Sequence, residues 1–181
     1  MKWFIASDLH GSIKYCDQML EAFRREGADR MLLLGDILYH GPRNGLPEDY
    51  DPKQVIERLN PLKDRITAVR GNCDAEVDQV VLQFPIMADY TLITSGERLV
   101  FATHGHVWNM DHLPPLPGGT VLLHGHTHVQ VCQPFGEYVY VNPGSVTFPK
   151  GDSVRGYIIL EEGRFTWKDL EGSVLPQYAL E

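Results

Sequence analysis

Three things are scarce in this chain, and each absence excludes a class of function. The cysteines are few: Cys16, Cys73 and Cys132 are odd in number and widely separated, without the paired spacing of a disulfide framework or a zinc knuckle. A reducing cytoplasm is the expected home. No apolar run approaches the roughly 20 residues that span a bilayer, so no membrane segment is expected. Cationic stripes are missing too. The formal net charge is −8 and no block of Lys or Arg lies along any segment, which argues against a long nucleic-acid partner, whose phosphates would need several cationic contacts. A small phosphate ester is not excluded, because bound cations could make a pocket positive in an acidic protein.

An internal repeat, a low-complexity tract and a linker are absent as well. At 181 residues the chain fits one soluble domain, residues 1–181, large enough to bury roughly 70% of its unfolded surface. Export is not expected, since a cleavable leader would carry away Asp8, a candidate ligand.

What is present is an alternation of apolar runs and short polar ends. Residues 2–7 read as a buried strand, then a turn at Gly11-Ser12 and a helix over 13–25. Ser12 is its N-cap, Met19, Leu20 and Phe23 recur at helical spacing, and Gly27 ends it. A second strand over 30–34 after a short connection implies a parallel pair. Residues 39–47 form a turn-rich loop, 52–62 a helix with Pro52 in its first turn, and 65–69 a third strand. From Tyr90 the pattern changes to strands separated by turns, at 91–94, 99–103, 121–123, 129–133, 138–141, 156–160 and 164–167, with a loop at 107–119. An α/β first half and a β-rich second half predict two sheets packed face to face with helices outside, and a site where strand ends converge.

Those ends carry the chemistry: Asp8-Leu9-His10, Gly35-Asp36, Gly71-Asn72, Thr103-His104-Gly105-His106 and Gly125-His126-Thr127-His128. Six of the eight histidines lie between His104 and His128, a concentration that unrelated core histidines seldom produce. Each element alone reads equally well as an ordinary turn. Together, carboxylate, amide and imidazole donors on five segments suit two divalent cations. If the first strand persists locally, Asp8 and His10 point to one face about 6.5 Å apart along the chain. His126 and His128 share that spacing, and Gly125 allows close backbone approach. Mixed donors without thiolate disfavour a structural zinc site and make Mn²⁺ the first choice, with Fe, Co²⁺, Zn²⁺ and Ni²⁺ as alternatives.

The ordered series from Asp8 to His128 resembles the calcineurin-like metallophosphoesterase superfamily, whose signature runs Asp-x-His, Gly-Asp, Gly-Asn-His-Asp/Glu, His, Gly-His-x-His. The loop from Gly35 to Asn44 and the run Asn142-Pro143-Gly144-Ser145 are similar to a small bacterial phosphodiesterase subgroup of it. The resemblance implies an αββα sandwich, two facing mixed β-sheets flanked by helices, and a phosphodiesterase acting on a small phosphodiester. It implies Asp8, His10 and His128 on one ion, Asn72, His104 and His126 on the other, and Asp36 bridging both. Asp36 and Asn72 thereby count as catalytic, with Asn72 also at the substrate phosphate; Arg43, in the loop after Asp36, is a separate candidate for that contact, since a planar guanidinium suits bidentate phosphate recognition. Two cations about 3.5–4 Å apart would clamp phosphate oxygens and lower the pKa of a bridging water, so that hydroxide attacks in line.

The chain departs from that signature at Gly71-Asn72-Cys73-Asp74, where the usual histidine is a cysteine. A thiol is the poorer proton donor to an alkoxide, so poor leaving groups should suffer most. Cys73 also reads as a small filler. His106 is a candidate substitute acid, or else orients His104 or faces solvent. Arg43 reads equally as a solvated loop residue, His40 and His112 read as surface histidines, and Asp74 resembles an orienting acid that has lost its partner. Competing functions are an interaction scaffold, a phosphomonoesterase and a nuclease. The β-rich half offers an edge for a homo-oligomer, which the sequence leaves open.

Overall fold

In the computed structural model, which describes residues 1–180 and of Ala179 only the backbone, β1 (Trp3–Ala6) sends alternate side chains into two cores. Phe4 and Ala6 join a cluster with the helices, while Trp3 and Ile5 join one between the sheets. That alternation is the strand pleat at work. Phe4 stacks on Tyr157 at 4.4 Å and meets Phe23 edge-on at 5.7 Å. Replacing it with Ala would cost about 3–5 kcal/mol.

The helices form where the caps predict. α1 (Ile13–Glu26) is capped by Ser12, whose side chain accepts from Tyr15 N, and ends at Gly27 with φ 59. α2 (Pro52–Leu59) has Asp51 accepting from Gln54 N. The helix expected to reach residue 62 stops at Leu59 and tightens into a 3₁₀ turn, Asn60–Arg65, because Pro61 has no N–H to continue the α ladder. Two elements were not expected from the sequence. α3 (Glu76–Val81) leaves Val77, Val80 and Val81 exposed and so lacks an apolar face. β11 (Val174–Leu180) contains Pro176, which is tolerated because β11 is an edge strand.

One sheet has the order β11-β10-β9-β1-β2-β3, with β2 (Arg30–Leu33), β3 (Ile66–Ala68), β9 (Gly156–Glu161) and β10 (Arg164–Asp169). The other has the order β4-β5-β6-β8-β7, from β4 (Tyr90–Ser95), β5 (Arg98–Thr103), β6 (Val121–His124), β7 (Gln130–Phe135) and β8 (Tyr138–Pro143). Helices cover the outer face of the first sheet. On the second, the 105–119 segment supplies Trp108 edge-on to Phe101 at 6.3 Å and two carbonyls, of Pro114 and Leu116, to the Tyr138 hydroxyl. No helix among the described residues is long and apolar enough to cross a membrane.

Three strands of each sheet run parallel, β1, β2 and β3 in one and β5, β6 and β8 in the other. Within each sheet, their carboxyl ends therefore lie on one side. All five candidate ligand segments follow such ends.

Candidate metal centre

The backbone does not approach the site as a pleated strand. β1 stops at Ala6, so Asp8 and His10 are not presented by a two-residue pleat as the sequence reading supposed. Both sit in the left-handed region, with φ 57 and 51, as do Asp36 (54), His126 (65) and His128 (63). These are five of the seven non-glycine residues with positive φ among the described residues. The conformation costs roughly 1–2 kcal/mol per residue and persists only where surroundings over-determine it. Here Asp8 N donates to Gly35 O at 3.2 Å, and His10 N to Asp36 O at 2.9 Å, so one ligand loop holds the next.

The imidazoles are oriented by their rear nitrogens. His10 Nδ1 lies 2.9 Å from Tyr39 O, His104 Nδ1 2.6 Å from Leu34 O, and His128 Nδ1 2.8 Å from Phe148 O. A carbonyl can only accept, so each Nδ1 carries the proton and each Nε2 presents a lone pair. Those lone pairs converge on other acceptors. His10 Nε2 is 3.4 Å from His128 Nε2, His128 Nε2 is 3.2 Å from Asp8 Oδ1, and His104 Nε2 is 3.1 Å from Asn72 Oδ1. Asp36 Oδ2 stands between the groups, 3.7 Å from His10 Nε2 and 3.5 Å from His104 Nε2. His126 reaches the second group through Nδ1, 3.2 Å from His104 Nε2. Acceptors facing acceptors without a proton between them repel one another, and a cation removes the repulsion. The buried Asp8 Oδ1, which has no hydrogen-bond partner, is the sharpest instance.

Charge states agree with that fit. Burial would raise the Asp8 carboxyl, yet the contact with His128 and the neighbouring imidazoles of His104 and His10 bring it well below the usual carboxylate range. Burial lowers His10, and takes His126 down to about 4, so both rings are neutral at pH 7 and free to ligate.

Two glycines make room. A Cβ on Gly125 would stand 2.6 Å from Asp8 Oδ2 and collide with Ser7 Oγ, and one on Gly71 would collide with Asp36 Oδ1. The close approach expected at Gly125 is thus present. Asp74 is the clip behind them. Its carboxylate accepts from Asp36 N at 2.8 Å, Ile37 N at 2.9 Å and Gly71 N at 2.7 Å, which ties the Gly-Asp and Gly-Asn loops together. Burial and the nearby Asp36 carboxylate push it up to about 6 against those three donors.

A cleft of ≈ 390 Å³ opens on this array, lined by His10, Asp36, Asn72, Cys73, His126 and His128, with Arg43 and Lys150 beside them. Burial and then Asp36 push the Cys73 thiol up to about 12, so it is protonated at neutral pH. His106 lies instead in an adjoining hollow of ≈ 200 Å³ with His124, its ring 5.4 Å from His104. His40 and His112 line neither space. Sequence reasoning missed Lys150 and Thr127, which line the cleft. Thr127 was visible only as the spacer of Gly-His-x-His, and Lys150 stands 22 residues beyond His128 with no local signal.

Comparison with known proteins gives three findings. The profile of the calcineurin-like phosphoesterase superfamily domain matches residues 1–164. Phosphodiesterase YfcE of Escherichia coli (strain K12) is 47% identical over 161 residues, which are 89% of this chain and 88% of that protein. The solved structure of YfcE, a phosphoesterase from E. coli, superposes with a TM-score of 0.94 at 42% identity, covering 99% of this chain and 98% of that one.

Proposed function

The chain belongs to the calcineurin-like phosphoesterase superfamily and is a metal-dependent phosphoesterase, and from that premise we propose that it hydrolyses small phosphodiesters at a centre of two divalent ions. The carrying observation is the set of facing lone pairs, His10 Nε2 against His128 Nε2 on one side, His104 Nε2 against Asn72 Oδ1 on the other, with Asp36 Oδ2 between them. Asp8, His10 and His128 would hold one ion, Asn72, His104 and His126 the other, and Asp36 both. Ions bound there supply Lewis acidity toward the phosphate and an activated water. Carboxylate, amide and imidazole donors, with the thiol of Cys73 protonated, favour Mn²⁺.

The chain's own residues do the rest. Neutral His10 and His126 keep their lone pairs available at working pH. Asp74 holds the backbones that carry Asp36 and Asn72. Arg43 and Lys150, exposed at the cleft and with no carboxylate partner among the described residues, attract the substrate's anionic groups. Cys73 occupies the place of the signature's histidine and offers no ready proton, which restricts turnover to diesters with good leaving groups. The thiols of Cys16 and Cys73 support a cytoplasmic location. YfcE, named as a phosphodiesterase at 47% identity, supports diesters over monoesters.

An interaction scaffold has only Cys73 in its favour, because no ligand position is vacant in the sequence. A metal-by-substrate screen on chelator-stripped protein separates the readings. Restored turnover of a diester above the matching monoester and single-stranded DNA is the expected result. Turnover of none of them with any divalent ion would leave the scaffold.

A further inference from the structure

The run Asn142-Pro143-Gly144-Ser145 has no part in the chemistry above, yet Asn142, Ser145 and Thr147 are fully buried. Its hydrogen bonds explain why. The left-handed turn at Asp8 and His10 ends the β1 ladder, so the carbonyls of Ser7 and Asp8 need donors from elsewhere, and that of Leu9 has locally only a long bond from Ser12 N at 3.3 Å. All three find them in one short segment: Val146 N donates to Ser7 O at 3.1 Å, Ser145 Oγ to Asp8 O at 2.8 Å, and Thr147 Oγ1 to Leu9 O at 2.7 Å. The same segment grips His128 at both ends. Phe148 O accepts from its Nδ1 at 2.8 Å, and Lys150 N donates to its backbone carbonyl at 3.0 Å. Asn142 Nδ2 donates to Gly125 O at 2.9 Å and Thr127 Oγ1 at 3.0 Å, and Asn142 O accepts from Trp167 Nε1 at 2.8 Å.

Residues 142–150 therefore connect a ligand loop of one sheet, Asp8 to His10, with a ligand loop of the other, Gly125 to His128. The two loops also meet directly, where His126 N donates to Asp8 Oδ2 at 3.0 Å. His104 and Asn72 receive nothing from the segment: His104 is held by Leu34 O, and the Asn72 loop by Asp74. His126 is reached only through its neighbours Gly125 and Thr127, by Asn142, so the support from Ser145 and Thr147 is one-sided.

Resting on the two-ion reading, we propose that residues 142–150 are a positioning strap that sets the geometry of the ion site formed by Asp8, His10 and His128, with Ser145 and Thr147 as its working hydroxyls. Ser145 and Thr147 do not line the substrate cleft, and of the strap only Lys150 at its end does. The strap acts by fixing the carbonyls between Asp8 and His10 and the ring plane of His128, so that three donors from two sheets meet at one point. Outer hydrogen-bond partners of this kind change metal affinity by about 10–100-fold.

The test is a calorimetric titration of metal-free protein with Co²⁺, accompanied by visible absorption spectra, on wild type, Thr147→Val, Ser145→Ala and Thr147→Ser. The two binding steps are assigned by which one disappears in His128→Ala. Thr147→Val keeps the shape of the side chain and removes its hydroxyl, so it should fold; the thermal midpoint of the metal-free protein checks that. The expected result is a loss of about 10-fold or more in affinity at the Asp8 site alone in Thr147→Val and Ser145→Ala, a changed Co²⁺ spectrum, and recovery in Thr147→Ser. Equal losses at both sites, or a lower thermal midpoint with both affinities unchanged, would overturn the strap and leave two ions in wild type. Fewer than two ions in wild type would overturn the two-ion reading and this proposal with it.

Discussion

His10 Nε2 and His128 Nε2 face each other at 3.4 Å, each ring's proton being committed to a backbone carbonyl on the far side, of Tyr39 and Phe148. Neither can donate to the other. The two residues are 118 positions apart and come from different sheets, so a packing accident would relax by rotating one ring. Both are instead pinned, which is the mark of a site built for a cation.

Asp36→Asn keeps the size of the side chain and removes its charge between the two groups. Turnover with Mn²⁺ is expected to fall by more than about 100-fold, beyond the range of outer-partner substitutions, and Mn²⁺ uptake to drop. Steady-state kinetics together with metal analysis check this, and unchanged turnover would exclude Asp36 from the centre.

Gly125→Ala tests the close approach of the sheets. Its Cβ would stand 2.6 Å from Asp8 Oδ2, so Asp8 must shift and metal affinity should fall by about 10-fold or more, while the apolar core between the sheets is untouched. A competition titration against a chelator measures it. Wild-type affinity would show that the loop yields freely.

Cys73→His should widen the substrate range. An imidazole supplies the proton that a thiol held up to about 12 does not, and positioned acids contribute about 10²–10⁴-fold. Gains are expected for esters with poor leaving groups and little change for activated diesters. Assays of both classes side by side decide it, and an unaltered ratio would make Cys73 a filler.

Acid should unfold the metal-free protein through its buried histidines. His124, stacked on Tyr140 at 4.5 Å, is lowered by burial to about 4, so as pH falls the unfolded chain takes up a proton before the folded one does. Its contribution is fully present above pH 6.5 and is lost between there and pH 4, amounting to about 3 kcal/mol at the lower end. Thermal midpoints across that window should fall, and His124→Phe should flatten the slope. An identical slope in the variant would contradict the assignment.

The residues that meet in the cleft were legible from sequence because each of their segments stands beside a glycine or at the end of an apolar run. The parallel strands were legible from their short connections, and the Ser12 and Gly27 caps from local chemistry. The left-handed turns at Asp8, His10, His126 and His128 were not, since nothing local forces them. Hydrogen bonds from distant loops do, and those depend on tertiary contact. For the same reason Lys150 and the Ser145 and Thr147 contacts had no signal. α3 lacks an apolar stripe, and β11 carries a proline that a period-based reading counts against a strand.

The central claim is the binuclear centre, and the most direct measurement is manganese stoichiometry by elemental analysis combined with anomalous diffraction from crystals grown with Mn²⁺. The account predicts two ions per chain, one beside Asp8, His10 and His128 and the other beside Asn72, His104 and His126, with Asp36 touching both. A cleft without ions, or a single ion that leaves Asp36 uncoordinated, would contradict it.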